Sequence, residues 1–356
     1  MIRNLLRNEW TAFAVAIVAS VVSAILVFTH ANAVFTFVVS AIALATLASV
    51  VGEATEQLGN YMGPGATGVL QSAIGNLPEL FVSFFALRAG LVTVVQSALV
   101  GSILANSLLV LGLAFLFGGI KHGTQKFRSE APRAIVILMV LAVSALVMPT
   151  LAFSLHTPAA EHEEALGIAC AIVLLIVFFA SIPLSLQGGP IADVAHSKEP
   201  KGEPWSILRV ISILAVAGVS AALVSDWFVQ ALEPAIEILH ISQAFAGLVV
   251  VAIAGNAVEN VVGIQLALKN KVDYSISVIM NSSLQVALAL TPILVLLSFF
   301  FAPVALTLVL PLLLVVGLAL TAFLSALIVY DGESNWLEGV ALIGLYIMIA
   351  ISFWWG

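Results

Sequence analysis

Long apolar runs alternate with short polar turns along almost the whole chain. A helix needs about 20 apolar residues to cross the hydrocarbon core of a bilayer, and neighbouring spans are joined by polar turns. The pattern therefore predicts an all-α polytopic membrane protein with eleven transmembrane helices. The predicted spans are Trp10–Thr29, Ala33–Leu58, Ala66–Leu87, Leu91–Phe117, Ala134–Phe153, Ala165–Leu186, Trp205–Ala231, Ser242–Leu268, Tyr274–Phe300, Pro303–Tyr330 and Trp336–Trp355.

The longest polar stretch divides the chain into two halves. It covers residues 187–204, contains Gly-Gly-Pro and two lysines, and is typical of a linker. We expect an extra N-terminal transmembrane helix in residues 1–32 and a first five-helix repeat in residues 33–187. A cytoplasmic linker in residues 188–204 and a second five-helix repeat in residues 205–356 complete the prediction.

Loop charge predicts the orientation of these spans. If the amino terminus is cytoplasmic and every span reverses direction, all lysines and arginines except Arg88 fall on the cytoplasmic side. This is the asymmetry that the positive-inside rule expects. The carboxyl terminus is then predicted to lie outside. The compact chain favours a prokaryotic plasma membrane over a vacuole.

Composition argues against a soluble protein and against nucleic-acid binding. The chain is 62% hydrophobic and only 9% charged, whereas soluble domains carry about a quarter charged residues. The few basic residues lie in short loops and form no stripe that could follow a nucleic acid. The single cysteine, Cys170, lies in an apolar run and cannot form an intrachain disulfide.

Two apolar spans carry the same motif, Gly-Asn-x-x-Glu. It runs from Gly75 to Glu79 in the third span and from Gly255 to Glu259 in the eighth, which are predicted to start on opposite sides of the membrane. The halves are therefore predicted to be inverted repeats, a common plan of secondary transporters with a site at mid-membrane. Because a carboxylate inside a bilayer is costly, we interpret Glu79 and Glu259 as a shared cation site that also takes protons.

Polar residues extend each motif along one helix face. Asn76 lies three positions before Glu79 and so shares its face, and Ser72 and Ser83 continue that face. Pro78 removes one backbone donor, which frees the carbonyl of Ile74 for a ligand or a cavity.

The next span of each half repeats this arrangement. Ser102 and Asn106 share a face of the fourth span, and Asn281 or Ser282 lies with Gln285 in the ninth. Ser102 and Ser282 each follow their glutamates at the same spacing, which favours a repeat over coincidence.

The donors in these motifs are carboxylate, amide, hydroxyl and backbone oxygens. Hard oxygen ligands suit Ca²⁺, whereas zinc or copper would favour cysteine or histidine. Burial favours the protonated form of a carboxyl and a bound cation favours its ionised form. Protons and a divalent cation should therefore compete for Glu79 and Glu259, which is a physical basis for exchange.

The chain resembles the Ca²⁺/H⁺ antiporter (cation/proton exchanger, CAX) branch of the Ca²⁺/cation antiporter superfamily. The resemblance rests on GNLPELFVSFFALRAG, VVQSALVGSILANSLLVLG, GNAVENVVGIQLALKNKVDYSISVIMNSSLQVAL and DGESNWLEG, which span both repeats. It implies an eleven-helix fold with Glu79 and Glu259 as the metal ligands and proton carriers. It implies as their neighbours Asn76, Asn256, Ser102, Asn106, Ser283 and Gln285. One departure is Asn281, which stands where the family's ninth-helix motif usually has glycine.

Several residues keep a second interpretation. Glu53 and Glu56 in the second span are candidates for gating or proton relay, or else mark a solvated helix end. Ser72, Asn281 and Ser282 are candidates for the same gating or relay role, or else residues of close helix packing. For the two glutamates the alternative is a buried structural pair, and for the amides it is hydrogen bonding between helices.

The sequence thus predicts a secondary active antiporter rather than an enzyme. We expect no cofactor beyond the transported Ca²⁺ and H⁺, a lipid bilayer as surroundings, and leave a homo-oligomer open. The alternatives are Na⁺-coupled Ca²⁺ exchange, or exchange of Mn²⁺ or another divalent cation for H⁺. An intramembrane hydrolase that uses the two glutamates as an acid pair and a cation channel are further alternatives.

Overall fold

The fold is a bundle of apolar helices, seen in a computed structural model that describes residues 9–59, 61, 74–127, 130–186 and 205–355. Most of the helices are rich in exposed Ile, Leu, Val and Phe side chains, as expected of surfaces that face lipid. The helices are α1 (Glu9–Phe28), α2 (Ala33–Gly59), α3 (Leu77–Arg88), α4 (Val92–His122), α5 (Glu130–Ser154), α6 (Glu163–Leu186), α7 (Ile207–Leu239), α8 (Gln243–Gly255), α9 (Ala257–Leu268), α10 (Val272–Phe301), α11 (Leu312–Asp331) and α12 (Trp336–Ser352).

The all-α polytopic class predicted from the sequence is confirmed. Within the described ranges, eight helices are long and apolar enough to cross a membrane, and the bent pair α8 and α9 makes a ninth span. Helix α12 is apolar and shorter, at 17 residues. The count of eleven stays a prediction, because residues 66–73 of the third predicted span lie outside the described residues.

Two predicted spans are not the continuous helices that the sequence suggested. The eighth breaks at Asn256 and bends by 65° between α8 and α9. The tenth does not begin at Pro303: residues 302–311 are non-helical, and α11 begins only at Leu312. Pro303 and Pro311 lack a backbone donor and disfavour helix in the residues before them. The apolar composition of this segment therefore did not predict where the helix begins.

The non-helical segment is stabilised by side chains of neighbouring helices. Gln96 donates through Nε2 to the carbonyls of Thr307 (2.9 Å) and Val309 (3.1 Å). Thr150 donates to the carbonyl of Leu308 (3.0 Å) and accepts from the amide of Leu310 (2.9 Å). Irregular backbone is tolerated at membrane depth only when it is satisfied in this way.

Helix α7 is also longer than predicted, because it continues past Ala231 to Leu239. The acidic residues Glu233 and Glu237 lie on the exposed face of this helix end.

The bundle centre is the place where α4 touches α8. A β-carbon at Gly101 would clash with the backbone of Leu248, and one at Gly247 would clash with the carbonyl of Val94. Glycine at both positions lets the two backbones approach closely, as small residues do in membrane helix pairs. Ser102 on α4 is thereby brought next to the end of α8.

Helices α4 and α10 each contain a π-helical stretch. These stretches are Ala105–Val110 and Val286–Leu290, which occupy matching positions after Ser102 and Ser282. A third covers Ala246–Val251 in α8. Such stretches are rare and frequent near functional sites. Their matched placement is in keeping with two repeats, although the predicted repeat boundaries and the linker remain predictions, since residues 187–204 lie outside the described part.

At the end of the bundle where α4 ends, two short strands join distant links of the chain. Strand β1 (Gln125–Lys126) pairs antiparallel with β2 (Glu333–Ser334), with Gln125 opposite Ser334. Lys126 forms an ion pair with Glu333 at 2.9 Å, and the bond and charge of that carboxylate raise the pKa of Lys126. The link between α4 and α5 is thereby joined to the turn between α11 and α12.

Candidate functional site

Helix breaks place both glutamates at the start of a half-helix. Asn76 and Asn256 adopt the non-helical angles φ −89°, ψ 12° and φ −100°, ψ 18°. The helices that follow begin one residue later, so Glu79 and Glu259 each lie in a first turn. The free amides and the positive dipole end of that turn favour a negative charge. Pro78 also fits here, because a missing donor costs nothing in a first turn.

Glu79 is buried, and only one of its two carboxylate oxygens accepts hydrogen bonds in the described structure. It is 5% exposed, and its Oε1 accepts hydrogen bonds from Ser102 Oγ and from Asn256 Nδ2, the latter at 2.7 Å. Its Oε2 is buried and has no hydrogen-bond partner in the described structure. A β-carbon at Gly255 would lie 2.7 Å from Glu79 Cγ, so glycine leaves the room that this side chain occupies. A buried unpartnered oxygen is costly, and a proton or a cation would relieve that cost.

Asn256 is the centre of a network that joins four helices. Its Nδ2 also approaches Ser102 Oγ at 3.0 Å. Its Oδ1 accepts from Asn106 Nδ2 and from Ser282 Oγ, both at 3.2 Å. Asn106 Nδ2 donates to Ser282 Oγ as well, at 3.0 Å, whereas Asn106 Oδ1 has no partner within the described residues. Residues of α3, α4, α10 and the break before α9 therefore share one polar cluster.

Glu259 is half-buried and lies in the first turn of α9, three residues after Asn256. It accepts no hydrogen bond from any other described side chain, and its charge interacts unfavourably with that of Glu79. Within the described part of the chain, neither glutamate is paired with a lysine or an arginine. Two ionised carboxylates close together in a medium of low dielectric repel each other strongly. A divalent cation between them, or protons on them, would remove the repulsion.

The remaining predicted neighbours lie in two further pairs. Asn76 donates through Nδ2 to Gln285 Oε1 at 3.1 Å. Ser283 is fully buried and hydrogen-bonds to Ser107 at 3.0 Å. Ser282 rather than Ser283 therefore joins the network of Asn256, because consecutive helical residues point about 100° apart and only one can face it.

For the predicted gating and relay residues, the structure gives burial and neighbouring helices. Glu53 and Glu56 are half-buried on α2, which packs against both α8 and α9 near the break. Asn281 is half-buried one position before Ser282, and Ser83 is buried one turn beyond Glu79. Ser72 lies outside the described residues. A role for these residues in gating or proton relay remains a prediction.

Two polar residues near the site were missed by the sequence reasoning. Asn260 follows Glu259, and its Oδ1 is buried without a partner in the described structure. Ser107 follows Asn106 and bonds Ser283. The sequence contains a sign of both residues, because a polar amide or hydroxyl inside an apolar transmembrane run is energetically unfavourable unless it has a partner.

The donors gathered here suit a hard cation. Among the described residues of the network, Glu79 Oε2 and Asn106 Oδ1 have no partner, and Glu259 adds a second carboxyl. In the described ranges, no group of three or more His, Cys, Asp or Glu side chains could hold a metal ion. Carboxylate, amide and hydroxyl oxygens are therefore the ligands that these residues offer, and such ligands fit Ca²⁺ better than zinc.

Comparisons with known proteins agree with this chemistry. The family model "Sodium/calcium exchanger protein" matches residues 32–187 and 209–355. A Ca(2+)/H(+) antiporter of Aphanothece halophytica is 35% identical over 350 residues, covering 91% of each chain. The Ca(2+)/H(+) antiporter ChaA of Bacillus subtilis is 34% identical, covering 89% of this chain and 91% of the relative. The solved structure of native YfkE has a TM-score of 0.80 at 32% identity, covering 96% of this chain and 99% of that one.

We expect Asn256→Ala to weaken cation binding by about tenfold or more. The change removes a donor to Glu79 and an acceptor for Asn106 and Ser282, and each lost hydrogen bond to a charged group costs about 1.5–3 kcal/mol. Binding of radioactive Ca²⁺ to the purified protein measures the effect. Ser225→Ala is the matched control, because Ser225 is equally buried on α7 and its hydroxyl has no partner in the described structure. Equal affinities for both variants would contradict the assignment of the network.

Proposed function

The chain belongs to the sodium/calcium exchanger protein family, and we propose that it is a secondary active antiporter that exchanges Ca²⁺ for H⁺. The observation that carries the proposal is the buried Glu79, whose Oε2 has no partner in the described structure and whose Oε1 is bonded by Asn256, three residues before Glu259. The curated relatives at 35% and 34% identity are themselves called Ca²⁺/H⁺ antiporters and match this chain over nine-tenths of its length.

Charge balance explains why one ion must replace the other. With one Ca²⁺ bound to two ionised carboxylates the site is neutral, and with both carboxyls protonated it is neutral again. The empty ionised site carries two negative charges in the membrane interior, where they are strongly unfavourable. A transporter that alternates its access between the two sides therefore changes state readily only when it is loaded with Ca²⁺ or with protons.

The network gives each loaded state its partners. In the Ca²⁺ state, Glu79 and Glu259 would bind the ion together with the side-chain oxygen of Asn106. In the proton state, a carboxyl O–H becomes a donor and Glu79 Oε1 keeps its bonds from Ser102 and Asn256. Asn256 thus orients Glu79 in either state and lets the same two carboxyls serve both ions.

The alternative functions predict different ion transport in a flux assay. Na⁺-coupled exchange would leave Ca²⁺ uptake dependent on a sodium gradient, and Mn²⁺ exchange would show as competition by that ion. A channel would follow voltage alone, and a hydrolase would move nothing. The amide-rich network that surrounds the two glutamates is unexplained by a hydrolytic acid pair.

We further propose a prokaryotic plasma membrane, with the amino terminus cytoplasmic and the carboxyl terminus outside. Three links predicted to be cytoplasmic lie at one end of the bundle, since Lys121 donates to the carbonyl of Leu268 and Lys126 pairs with Glu333. Half of the 12 lysines and arginines lie in or beside two of these links, as a cytoplasmic end should have. The similarity to Bacillus and Aphanothece antiporters supports the bacterial setting.

We expect Lys126→Cys, in a Cys170→Ser background, to be shielded from a membrane-impermeant maleimide in intact cells. The introduced thiol lies on the cytoplasmic end and should react only after the cells are opened. Glu161→Cys is the comparison, because Glu161 is exposed near the end of α5 that is predicted to face outward. Labelling of Lys126→Cys in intact cells together with protection of Glu161→Cys would reverse the proposed orientation.

We expect Glu79→Gln or Glu259→Gln to abolish Ca²⁺ uptake driven by a pH gradient while the protein stays folded. Glutamine keeps the size of the side chain but can neither neutralise Ca²⁺ nor release a proton. Proteoliposomes with an imposed pH gradient, supplied in turn with Ca²⁺, Mn²⁺ and Na⁺, measure activity and selectivity together. Glu237→Gln at the exposed end of α7 is the control. Wild-type uptake by either site variant would refute the proposed site.

We expect Ca²⁺ to bind more tightly as the pH rises on the side from which it binds. Because protons and Ca²⁺ occupy the same carboxyls, lowering the proton concentration leaves more of them free for the cation. The half-saturating Ca²⁺ concentration, measured between about pH 6 and about pH 8 on that side, should fall steadily. A flat profile over this range would argue against direct competition.

A further inference from the structure

The half-helix that carries Glu259 is held at its far end by the other half of the protein. Helix α9 begins beside Glu259 and ends at Leu268, against the link between α4 and α5. From the end of α4, Lys121 Nζ and His122 Nε2 contact the carbonyl of Leu268 at 2.7 and 3.0 Å. Gln125 Nε2 donates to the carbonyl of Ala267 at 3.1 Å and to Asn270 Oδ1 at 2.8 Å. The last carbonyls of α9 are thereby satisfied by donors from outside its own half.

Gln125 is the buried member of this set. It is 2% exposed, whereas Lys121 and His122 are exposed. Its backbone lies in the β1–β2 pair opposite Ser334, and its side chain packs against Gly118 of α4. A side chain fixed by a strand, by a neighbouring helix and by two hydrogen bonds has little freedom, so it can hold what it contacts in one place.

The matching half-helix α3, which carries Glu79, has a different end. Its cap residue Gly90 has a φ of 79°, and the corresponding cap residue after α9 is Asn270, with a φ of 59°. A β-carbon at Gly90 would meet only Pro303 Cγ, at 3.7 Å. Among the described residues, the cap of α3 therefore receives no side-chain hydrogen bond like the one that Gln125 gives to Asn270.

The position of α9 depends on the contacts at its end, because the helix is not continuous with α8. The break at Asn256 removes the hydrogen bonds that would otherwise fix its direction. Its position then depends on lateral packing, including the bond from Ser275 Oγ to the carbonyl of Gly263 at 2.7 Å, and on the anchor at its end. A loosened end would let Glu259, at the opposite tip, move relative to Glu79.

We propose that Gln125 is a positioning residue that anchors α9 and so sets the place of Glu259 in the cation site. The anchor attaches α9 to α4 and to the α11–α12 turn, whereas the end of α3 has no corresponding side-chain hydrogen bond among the described residues. This inference rests on the proposed exchange of Ca²⁺ for H⁺, since it concerns the geometry of that same site.

The test compares Gln125→Leu and Asn270→Gly in membrane vesicles whose cytoplasmic face is outward. Gln125→Leu keeps the approximate volume of the side chain and removes its donors. Asn270→Gly removes the acceptor and keeps a residue that tolerates positive φ, as Gly90 does in the other half. Uptake driven by a pH gradient gives the half-saturating Ca²⁺ concentration and the maximal rate. We expect each variant to raise the former by about fivefold, the effect of a lost hydrogen bond, with the latter little changed.

Lys126→Gln is the matched control, because Lys126 is the next residue of the same strand and its side chain is 79% exposed. It should leave both quantities at wild-type values. The double variant should resemble Gln125→Leu alone, since both changes remove one shared bond.

Unchanged half-saturation in both variants, with wild-type protein active, would overturn the positioning role and leave the proposed function standing. A fall in maximal rate alone would overturn it too, as would loss of the folded protein in both variants, judged by thermal melting in detergent. An inactive wild type would instead overturn the proposed function itself.

Discussion

The structure depends on how a carboxylate is accommodated away from water. Glu79 is buried with one oxygen held by Ser102 and Asn256 and the other left without a partner in the described structure. Fully satisfying both oxygens with fixed donors would make a stable ion that has no need of a cation. Leaving one unsatisfied keeps the free energy of the empty site high. For the proposed exchange, this carboxylate with one unpartnered oxygen is the feature that would favour binding of Ca²⁺ or a proton.

Several irregular features of the backbone accompany this site. The helices break at Asn76 and Asn256, which gives up backbone hydrogen bonds inside the membrane but leaves first-turn amides free at the start of each half-helix. Gly101 and Gly247 bring α4 and α8 into backbone contact, so that Ser102 and Asn106 reach Asn256. The π-helical stretches of α4 and α10 come soon after Ser102 and Ser282 in the chain. A π-helical stretch changes the direction in which the following side chains point, relative to a regular α-helix.

The two halves are alike in motif but unequal in their surroundings. Asn256 bonds Glu79 and gathers residues of four helices, whereas Asn76 bonds Gln285. Glu79 is buried, and Glu259 is half-buried. The half-helix of Glu259 is tied to Gln125 at its end, whereas that of Glu79 ends at a glycine. Opposite orientation places matching residues in different environments, so a shared motif does not imply a shared role.

The sequence by itself determined the all-α membrane class, most of the helices, the two glutamates and most of their polar neighbours. Apolar length and the cost of isolated polar groups in lipid are local properties, and they can be read along the chain. Tertiary structure alone decided that Asn256 bonds Glu79, that Ser282 rather than Ser283 joins it, and that residues 302–311 are not helical. It also revealed Asn260 and Gln125. These outcomes depend on which distant groups satisfy a given donor, carbonyl or carboxylate, and that pairing exists only once the helices have packed.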